Sequence, residues 1–205
     1  TGVAGFIGFS FARELLKRKH KIFGIDSLDK YYSISLKKKR LRILNSYKNF
    51  KFKKINISKK NEVKNYLKEK EFDYIYHFAA QAGVRYSVIN PKKYIKSNID
   101  GFNNILKYIN ETKFKTMFYA SSSSVYGDTN FFPLKENFKL KPKNLYAQTK
   151  IQNEKDANKF VKKYKKKLIG LRLFTIYGEW GRPDMLILKL LSYMKKNKNF
   201  EINNG

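Results

Sequence analysis

The alternation of short apolar runs with amphipathic or charged stretches is the strongest constraint on this 205-residue chain. Phe6 to Lys19 reads as an amphipathic helix, with Phe6, Phe9, Leu15 and Leu16 on its apolar side, and Lys21 to Asp26 as a short strand. Tyr31 to Ser46 is polar and helical or irregular, Phe50 to Ile57 a strand, and Asn61 to Lys70 a charged helix. Tyr74 to Ala79 is a nearly continuous apolar strand of the buried parallel type. Pro91 opens a helix to about Asn110, Thr116 to Ser121 is a strand, and Asn144 to Lys166 a long helix. Leu168 to Leu173 is the last strand, and Asp184 to Lys196 the last helix. Strands and helices in this order predict an α/β fold, a doubly wound parallel sheet with helices on both faces.

The chain opens on a turn, with no strand to feed it, and stops in the polar Asn203-Asn204-Gly205. The expectation is a fragment clipped at both ends, whose sheet lacks its central first strand and exposes two inner edges. A first domain is expected over 1–173, and the beginning of a second region over 174–205. No apolar run is long enough to span a bilayer, and no signal peptide is expected. Zero Cys excludes disulfides and thiolate metal sites and fits a reducing, cytoplasmic setting. No metal is expected.

The turn carries chemistry. Thr1-Gly2-Val3-Ala4-Gly5-Phe6-Ile7-Gly8 spaces three glycines at three and three. With 11 Gly in the chain, that spacing arises by chance roughly 0.03 times, so it is informative. It suits a tight turn, a backbone bare enough to approach a pyrophosphate, and amides at a helix N-terminus that meet negative charge. Asp26, at the end of the second strand position, would accept the ribose hydroxyls of a bound dinucleotide and repel a 2′-phosphate, favouring NAD over NADP.

Tyr146-x-x-x-Lys150 needs its context. With 15 Tyr and 38 Lys, roughly three such pairs arise by chance, and three exist, the others being Tyr47/Lys51 and Tyr66/Lys70. Only the third lies on a helix following a strand that ends in Ala120-Ser121-Ser122-Ser123-Ser124-Val125-Tyr126-Gly127. A hydroxyl, a phenol and an ammonium would then meet at the C-terminal edge of a parallel sheet. A Lys and a cationic nicotinamide beside Tyr146 would lower its pKa and make it a general base near neutral pH.

The net charge of +29 is the footprint of a nucleic-acid binder or the residue of composition. The 38 Lys accompany 19 Asn and only 7 Arg, the balance of A/T-rich codons rather than of bidentate phosphate recognition. Clusters such as Lys37-Lys38-Lys39-Arg40 read as solvated faces. Nucleic acid is therefore not the expected partner.

Taken together, the glycine turn, His77-Phe78-Ala79-Ala80, the serine run, Tyr-Ala-x-Thr-Lys and Leu171-Arg172-Leu173-Phe174-Thr175-Ile176-Tyr177-Gly178 resemble extended short-chain dehydrogenases acting on nucleotide sugars, with their Rossmann-like fold. Ala79 to Ser87 and Phe174 to Asp184 resemble more narrowly the UDP-glucuronate 4-epimerases of capsular-polysaccharide and plant pectin-precursor synthesis. The resemblance implies that Tyr146 takes the sugar 4-hydroxyl proton while hydride passes from C4 to tightly held NAD⁺ and returns on the other face of a 4-keto sugar. It implies Ser122 as the catalytic hydroxyl, with Ser123 as fallback, and Lys150 on the nicotinamide ribose. Gly2, Gly5, Phe6, Ile7, Gly8, Asp26, Asn56, Ala79, Ala80, Gln81 and Asn98, with Tyr146 and Lys150, would hold the cofactor. Asn56 replaces the usual Asp near the adenine. Arg182 is tied to the substrate, its fork gripping a glucuronate carboxylate or the diphosphate, with Thr175 and Ser123 adding hydrogen bonds and Arg85 a further candidate. His77 reads as a core histidine, and Trp180 as packing or as a wall of the sugar pocket. Family dehydratases carry an acid pair where Ser123 and Ser124 stand, and without it no group protonates a departing 6-hydroxyl, whereas a decarboxylase would differ mainly in how the carboxylate is held. A homodimer is implied as well.

Overall fold

A computed structural model describes residues 1–200. Eight α-helices and five strands alternate along them: α1 Phe6–Lys17, β1 Ile22–Asp26, α2 Ile34–Asn45, β2 Phe50–Lys54, α3 Lys60–Leu67, β3 Tyr74–His77, α4 Val84–Ile89, α5 Pro91–Tyr94, α6 Gly101–Ile109, β4 Thr116–Ser122, α7 Leu145–Tyr164, β5 Leu168–Leu173 and α8 Leu186–Lys195. Every strand pair is parallel, as the alternation predicts. The expected end at Asn203-Asn204-Gly205 lies outside the described residues.

The strands form two sheets rather than one, β1-β2 and β3-β4-β5. The residues before α1 join them. Gly2 N and Val3 N donate to Ile25 O of β1, while the Thr1 amino group donates to Tyr76 O and Phe78 N to Thr1 O on the β3 side. Thr1–Val3 thus tie the C-terminal ends of β1 and β3, where the glycine turn must sit.

Successive strand residues point to opposite faces, so each face carries its own core. On one side Ile25, Met117 and Tyr119 pack under α3, α6 and α7 through Val63, Ile105, Ile109 and Phe160. On the other, Phe9, Ala12 and Leu16 of α1 meet Leu41 and Leu44 of α2 and Phe50 of β2. Phe11 extends this second layer over β3, its ring centroid 4.4 Å from that of Tyr76.

Three expectations need correction. Tyr74–Ala79 is not a fully buried strand: pairing ends at His77, and Tyr74 is 50% exposed. The stretch from Pro91 to Asn110 is not one regular helix, because a π-helical turn, Ile95–Asp100, separates α5 from α6. The cluster Lys37-Lys38-Lys39-Arg40 is not a solvated face: Lys37 and Arg40 are buried. They share a helical face with Leu41 and Leu44, at the spacing that faces a core.

Helix α7 is fastened to the sheet by a half-buried ion pair. Arg172 of β5 grips Glu154 of α7 with Nε (3.0 Å) and Nη2 (2.9 Å), and Ser121 Oγ donates to the same carboxylate. Burial alone would raise the Glu154 pKa, but the hydrogen bonds from Arg172 and Ser121 outweigh it and hold the group below its ordinary value. Glu154→Ala leaves a guanidinium without its counter-charge and is expected to cost about 3 kcal/mol. Urea denaturation would measure it, and a loss under about 0.5 kcal/mol, the range of a solvated surface pair, would refute it.

Candidate functional site

A cavity of about 440 Å³ opens at the C-terminal ends of the strands, where parallel sheets bind ligands. Gly2, Gly5, Phe6, Ile7 and Gly8 line one end of it. A Cβ on Gly8 would lie 2.2 Å from Gly2 O, and one on Gly2 2.7 Å from Ala79 N, so the turn closes only around bare backbone. Helix α1 starts there with Gly5 as its N-cap, no side-chain cap and no acid in its first turn. The positive end of its dipole is thus offered to a ligand, not quenched by the protein.

Asp26, the last residue of β1, is oriented by two backbone donors: Ala4 N to Oδ2 at 3.0 Å and Leu28 N to Oδ1 at 2.8 Å. Each oxygen retains a lone pair for a hydroxyl donor. Asn56 also lines the cavity, its Oδ1 accepting Ser58 N and Ser58 Oγ at 3.0 and 2.9 Å, which leaves its amide free to donate. Bare turn, uncapped helix and diol-accepting carboxylate, in sequence along one cavity, fit a dinucleotide.

Ala79, Ala80 and Gln81 line the cavity as well, Ala79 with its backbone against Gly2, but Asn98 does not. Asn98 is buried behind, where its Oδ1 accepts Gln81 N (2.7 Å) and its Nδ2 donates to Gln81 O (3.1 Å) and Thr149 Oγ1 (3.1 Å). The π-helical turn places it there, and Asn153 Nδ2 takes up Asn98 O at 2.7 Å. Its geometry is that of a brace between the Gln81 wall and α7.

Ser122, Ser123, Tyr146, Lys150, Thr175 and Arg182 all line the same cavity. Ser122 Oγ accepts Ser124 N at 3.2 Å, which leaves its proton free to point at Tyr146 or a substrate. Burial pushes the Tyr146 phenol above its ordinary pKa, while a hydrogen bond from Ser122 and the field of Arg182 pull it down. In the protein alone the net direction is upward; the expected lowering invoked a cationic nicotinamide as well as Lys150. The Lys150 ammonium lies 5.9 Å from the Tyr146 ring centroid and donates to Ala120 O at 2.8 Å.

Lys150 is buried, and desolvation lowers its pKa to about 8. Below that pH the lysine is protonated in both folded and unfolded chains, and the native state carries the full cost of the buried charge. Between about 8 and its ordinary value near 10.5 the unfolded chain holds more protons, so stability rises with pH. Lys150→Met is therefore expected to stabilise the cofactor-free protein by roughly 3 kcal/mol at neutral pH, a gain that vanishes by about pH 10.5. Thermal melts of both proteins from pH 6 to 10.5 would test this, and a gain independent of pH would refute it.

The remaining candidates divide. Arg85 is exposed and off the cavity wall. His77 is buried, with Nδ1 2.9 Å from Thr1 Oγ1 and its ring against Phe102, as a core histidine would be. Trp180 packs edge-on against Phe9 at 5.6 Å and lines none of the cavity. Its backbone matters more than its ring: the fully buried Arg40 donates through Nη2 to Trp180 O (2.5 Å) and Gly181 O (3.1 Å), and through Nη1 to Ala4 O (2.9 Å) and Tyr32 OH (2.7 Å). One guanidinium thus anchors both the glycine turn and the loop carrying Arg182. Sequence reasoning missed Arg40, and its register with Leu41 and Leu44 on α2 was the available signal. It also missed Asp184 and Tyr31, which meet Arg182 side by side: Asp184 accepts Arg182 Nε (3.1 Å), Arg182 Nη2 (2.5 Å) and Tyr31 OH (3.1 Å).

The model of the NAD dependent epimerase/dehydratase family matches residues 1–205, and the chain belongs to that family. An uncharacterized protein of Methanocaldococcus jannaschii is 45% identical over all of this chain and 64% of its own length. A probable UDP-glucuronate 4-epimerase of Rhizobium meliloti is 36% identical over 98% of this chain and 60% of its own. The solved UDP-glucuronic acid 4-epimerase from Bacillus cereus, in complex with UDP-glucuronic acid and NAD, superposes with a TM-score of 0.89 at 30% identity, over 96% of this chain and 62% of that one. A UDP-N-acetylglucosamine 4-epimerase from Methanobrevibacter ruminantium gives 0.85 at 28% identity, over 96% and 62%. The chain spans about three fifths of the length of such relatives. The cofactor of the family is NAD, which the residues around the glycine turn fit. Among the described residues no helix is long and apolar enough to cross a membrane.

Proposed function

We propose that this member of the NAD dependent epimerase/dehydratase family inverts C4 of a nucleotide sugar, UDP-glucuronate to UDP-galacturonate, through a transient 4-keto sugar. The observation that carries the reading is the convergence of Ser122, Tyr146 and Lys150 with Arg182 and Thr175 in one cavity. NAD, when bound, supplies a reversible two-electron acceptor. Gly2, Gly5 and Gly8 with the α1 amides would hold its pyrophosphate, Asp26 its adenine ribose, and Ala79 to Gln81 would flank it. Lys150, which donates to Ala120 O, would bind the second ribose and supply positive charge to the phenolate.

Tyr146 takes the 4-hydroxyl proton onto its phenolic oxygen and returns it in the reverse half of the reaction. Ser122 hydrogen-bonds the same oxygen and steadies it in both protonation states. Arg182, which lines the same cavity and whose charge lowers the Tyr146 pKa, would receive an anionic group on the sugar, with Thr175 and Ser123 as further donors. Ser123 and Ser124 line the cavity where an acid would be needed to expel a 6-hydroxyl, which favours epimerisation over dehydration. The residues from 174 onward begin the part that binds substrate, in a cytoplasmic homodimer; sedimentation velocity reads the oligomeric state.

The test is to incubate the protein with UDP-glucuronate, adding no NADH, and to resolve the nucleotide sugars. UDP-galacturonate is the expected product. Release of CO₂ with a UDP-pentose would replace the reading with a decarboxylase, and turnover of UDP-N-acetylglucosamine but not UDP-glucuronate would move it to an N-acetylhexosamine.

A further inference from the structure

Arg182 meets the cavity already half engaged. Its guanidinium is largely buried, and Asp184, two residues on, takes its side-on edge through Nε and Nη2. The Asp184 carboxylate is itself fixed by the Tyr31 hydroxyl, and the Arg182 guanidinium sits 5.6 Å from the Tyr31 ring centroid. Tyr31 is held in turn against Tyr86, with ring centroids 4.9 Å apart. Among the described residues Nη1 of Arg182 has no hydrogen-bond partner. A guanidinium has two edges that can each form a parallel pair of N–H···O bonds with a carboxylate. Here the protein occupies one of them with Asp184 and leaves the other without a carboxylate partner, on a side chain that lines the cavity.

We infer that Asp184, backed by Tyr31, is a positioning residue for substrate choice: it clamps the Nε–Nη2 edge of Arg182 so that the Nη1–Nη2 edge presents a fixed fork to the carboxylate of the sugar. The inference rests on the proposed UDP-glucuronate reading. A long, rotamer-rich side chain would otherwise lose entropy on binding, and the clamp settles that cost in the free protein. Because the carboxylate is the group that distinguishes UDP-glucuronate from UDP-glucose, the clamp acts on one ligand and not the other. It leaves the two charges of Arg182 and Asp184 nearly balanced, so selectivity comes from the geometry of the fork rather than from an uncompensated positive charge.

The experiment measures dissociation constants of the NAD-bound protein for UDP-glucuronate and UDP-glucose by calorimetry. Asp184→Asn is expected to weaken UDP-glucuronate about tenfold and leave UDP-glucose within twofold, with Tyr31→Phe shifting the ratio in the same direction by a smaller factor and Asp184→Glu restoring part of it. NAD affinity and the melting temperature report folding independently. Equal weakening of both sugars would overturn the inference, since Arg182 would then be serving the shared diphosphate. So would an unchanged ratio, or tighter UDP-glucuronate binding, which would make Asp184 a competitor of the substrate. Wild-type protein that takes up NAD but turns over neither sugar would refute the functional reading itself. Wild-type conversion of UDP-glucuronate together with an unmoved ratio in both variants would refute the clamp alone.

Discussion

Tyr146→Phe is expected to lower turnover of UDP-glucuronate by about 10²–10⁴-fold while NAD affinity and stability stay within small factors. The change removes one hydroxyl and keeps the ring, which packs edge-on against Tyr94 at 6.3 Å. Nothing else in the cavity replaces the lost group. Ser122 lies within hydrogen-bonding reach, but an aliphatic hydroxyl is far too weak an acid to be held as its anion there. Lys150 donates to Ala120 O and has no proton-accepting form until its pKa near 8 is passed. The protonation of Tyr146 also sets a pH signature. Burial holds the phenol above its ordinary value, against the pull of Ser122 and Arg182, so the reactive phenolate fraction grows with pH. In the wild-type protein kcat/KM should therefore rise with pH on its acid limb, and the residual rate of the Phe variant should not follow it. Product analysis by NMR over pH 6 to 9 reads both. A variant retaining a tenth of the wild-type rate, or keeping the same acid limb, would remove Tyr146 from the role of base.

What could be read in the sequence was decided by short-range rules, and what could not was decided by contacts between distant residues. The β5 bounds, Leu168–Leu173, and the start of α1 at Phe6 coincide with the sequence expectation because strand alternation and the glycine turn act within a few residues. The π-helical turn at Ile95–Asp100 had no such local cause. It accompanies Asn98, whose carbonyl is held by Asn153 and whose amide braces Gln81 and Thr149, partners 17 to 55 residues away. Helix α4 was missed for a different reason: Val88 and Ile89 are 79% and 77% exposed, so its apolar residues form no core-facing stripe. Charge patterning reads Lys37 and Arg40 as solvated because it assumes water as the partner. For Arg40 the partners are carbonyls at Ala4, Trp180 and Gly181, up to 141 residues distant. At the site itself the motif residues were legible, since glycine spacing and the serine run name backbone and hydroxyl geometry directly. The Arg182–Asp184–Tyr31 clamp was not, although Asp184 stands only two positions from Arg182: without Tyr31, 153 residues away, that Asp reads as another surface acid.

The glycine turn gives the second large effect. Gly8→Ala is expected to reduce NAD affinity more than 100-fold and to destabilise the protein by about 2–4 kcal/mol. A Cβ at Gly8 would sit 2.2 Å from Gly2 O, 2.8 Å from Gly2 C and 3.1 Å from Val3 Cα, all of them backbone atoms with no rotamer to yield. Relief requires moving the turn off α1, yet the turn is held from the far side: Gly2 N donates to Ile25 O at 2.8 Å, and Ala79 N lies 2.7 Å from where a Gly2 Cβ would be. Any displacement also carries Gly2, at φ +72°, away from the α1 amides proposed to hold the pyrophosphate. Gly5→Ala is the informative control. Its Cβ would meet Gly2 O alone, at 3.0 Å, and Gly5 has an ordinary negative φ of −72°. The fold should tolerate that change, so a Gly5 variant that melts near wild type but binds NAD poorly would locate the pyrophosphate over Gly5, where only the ligand objects to a methyl group. Calorimetric NAD titration with thermal melts of both variants separates the two causes. Gly8→Ala must fail in both measurements, because its clash exists before any ligand arrives. A Gly8 variant that melts like wild type would mean that the 2.2 Å approach relaxes freely, and the turn could then not be the rigid cradle that the cavity geometry requires.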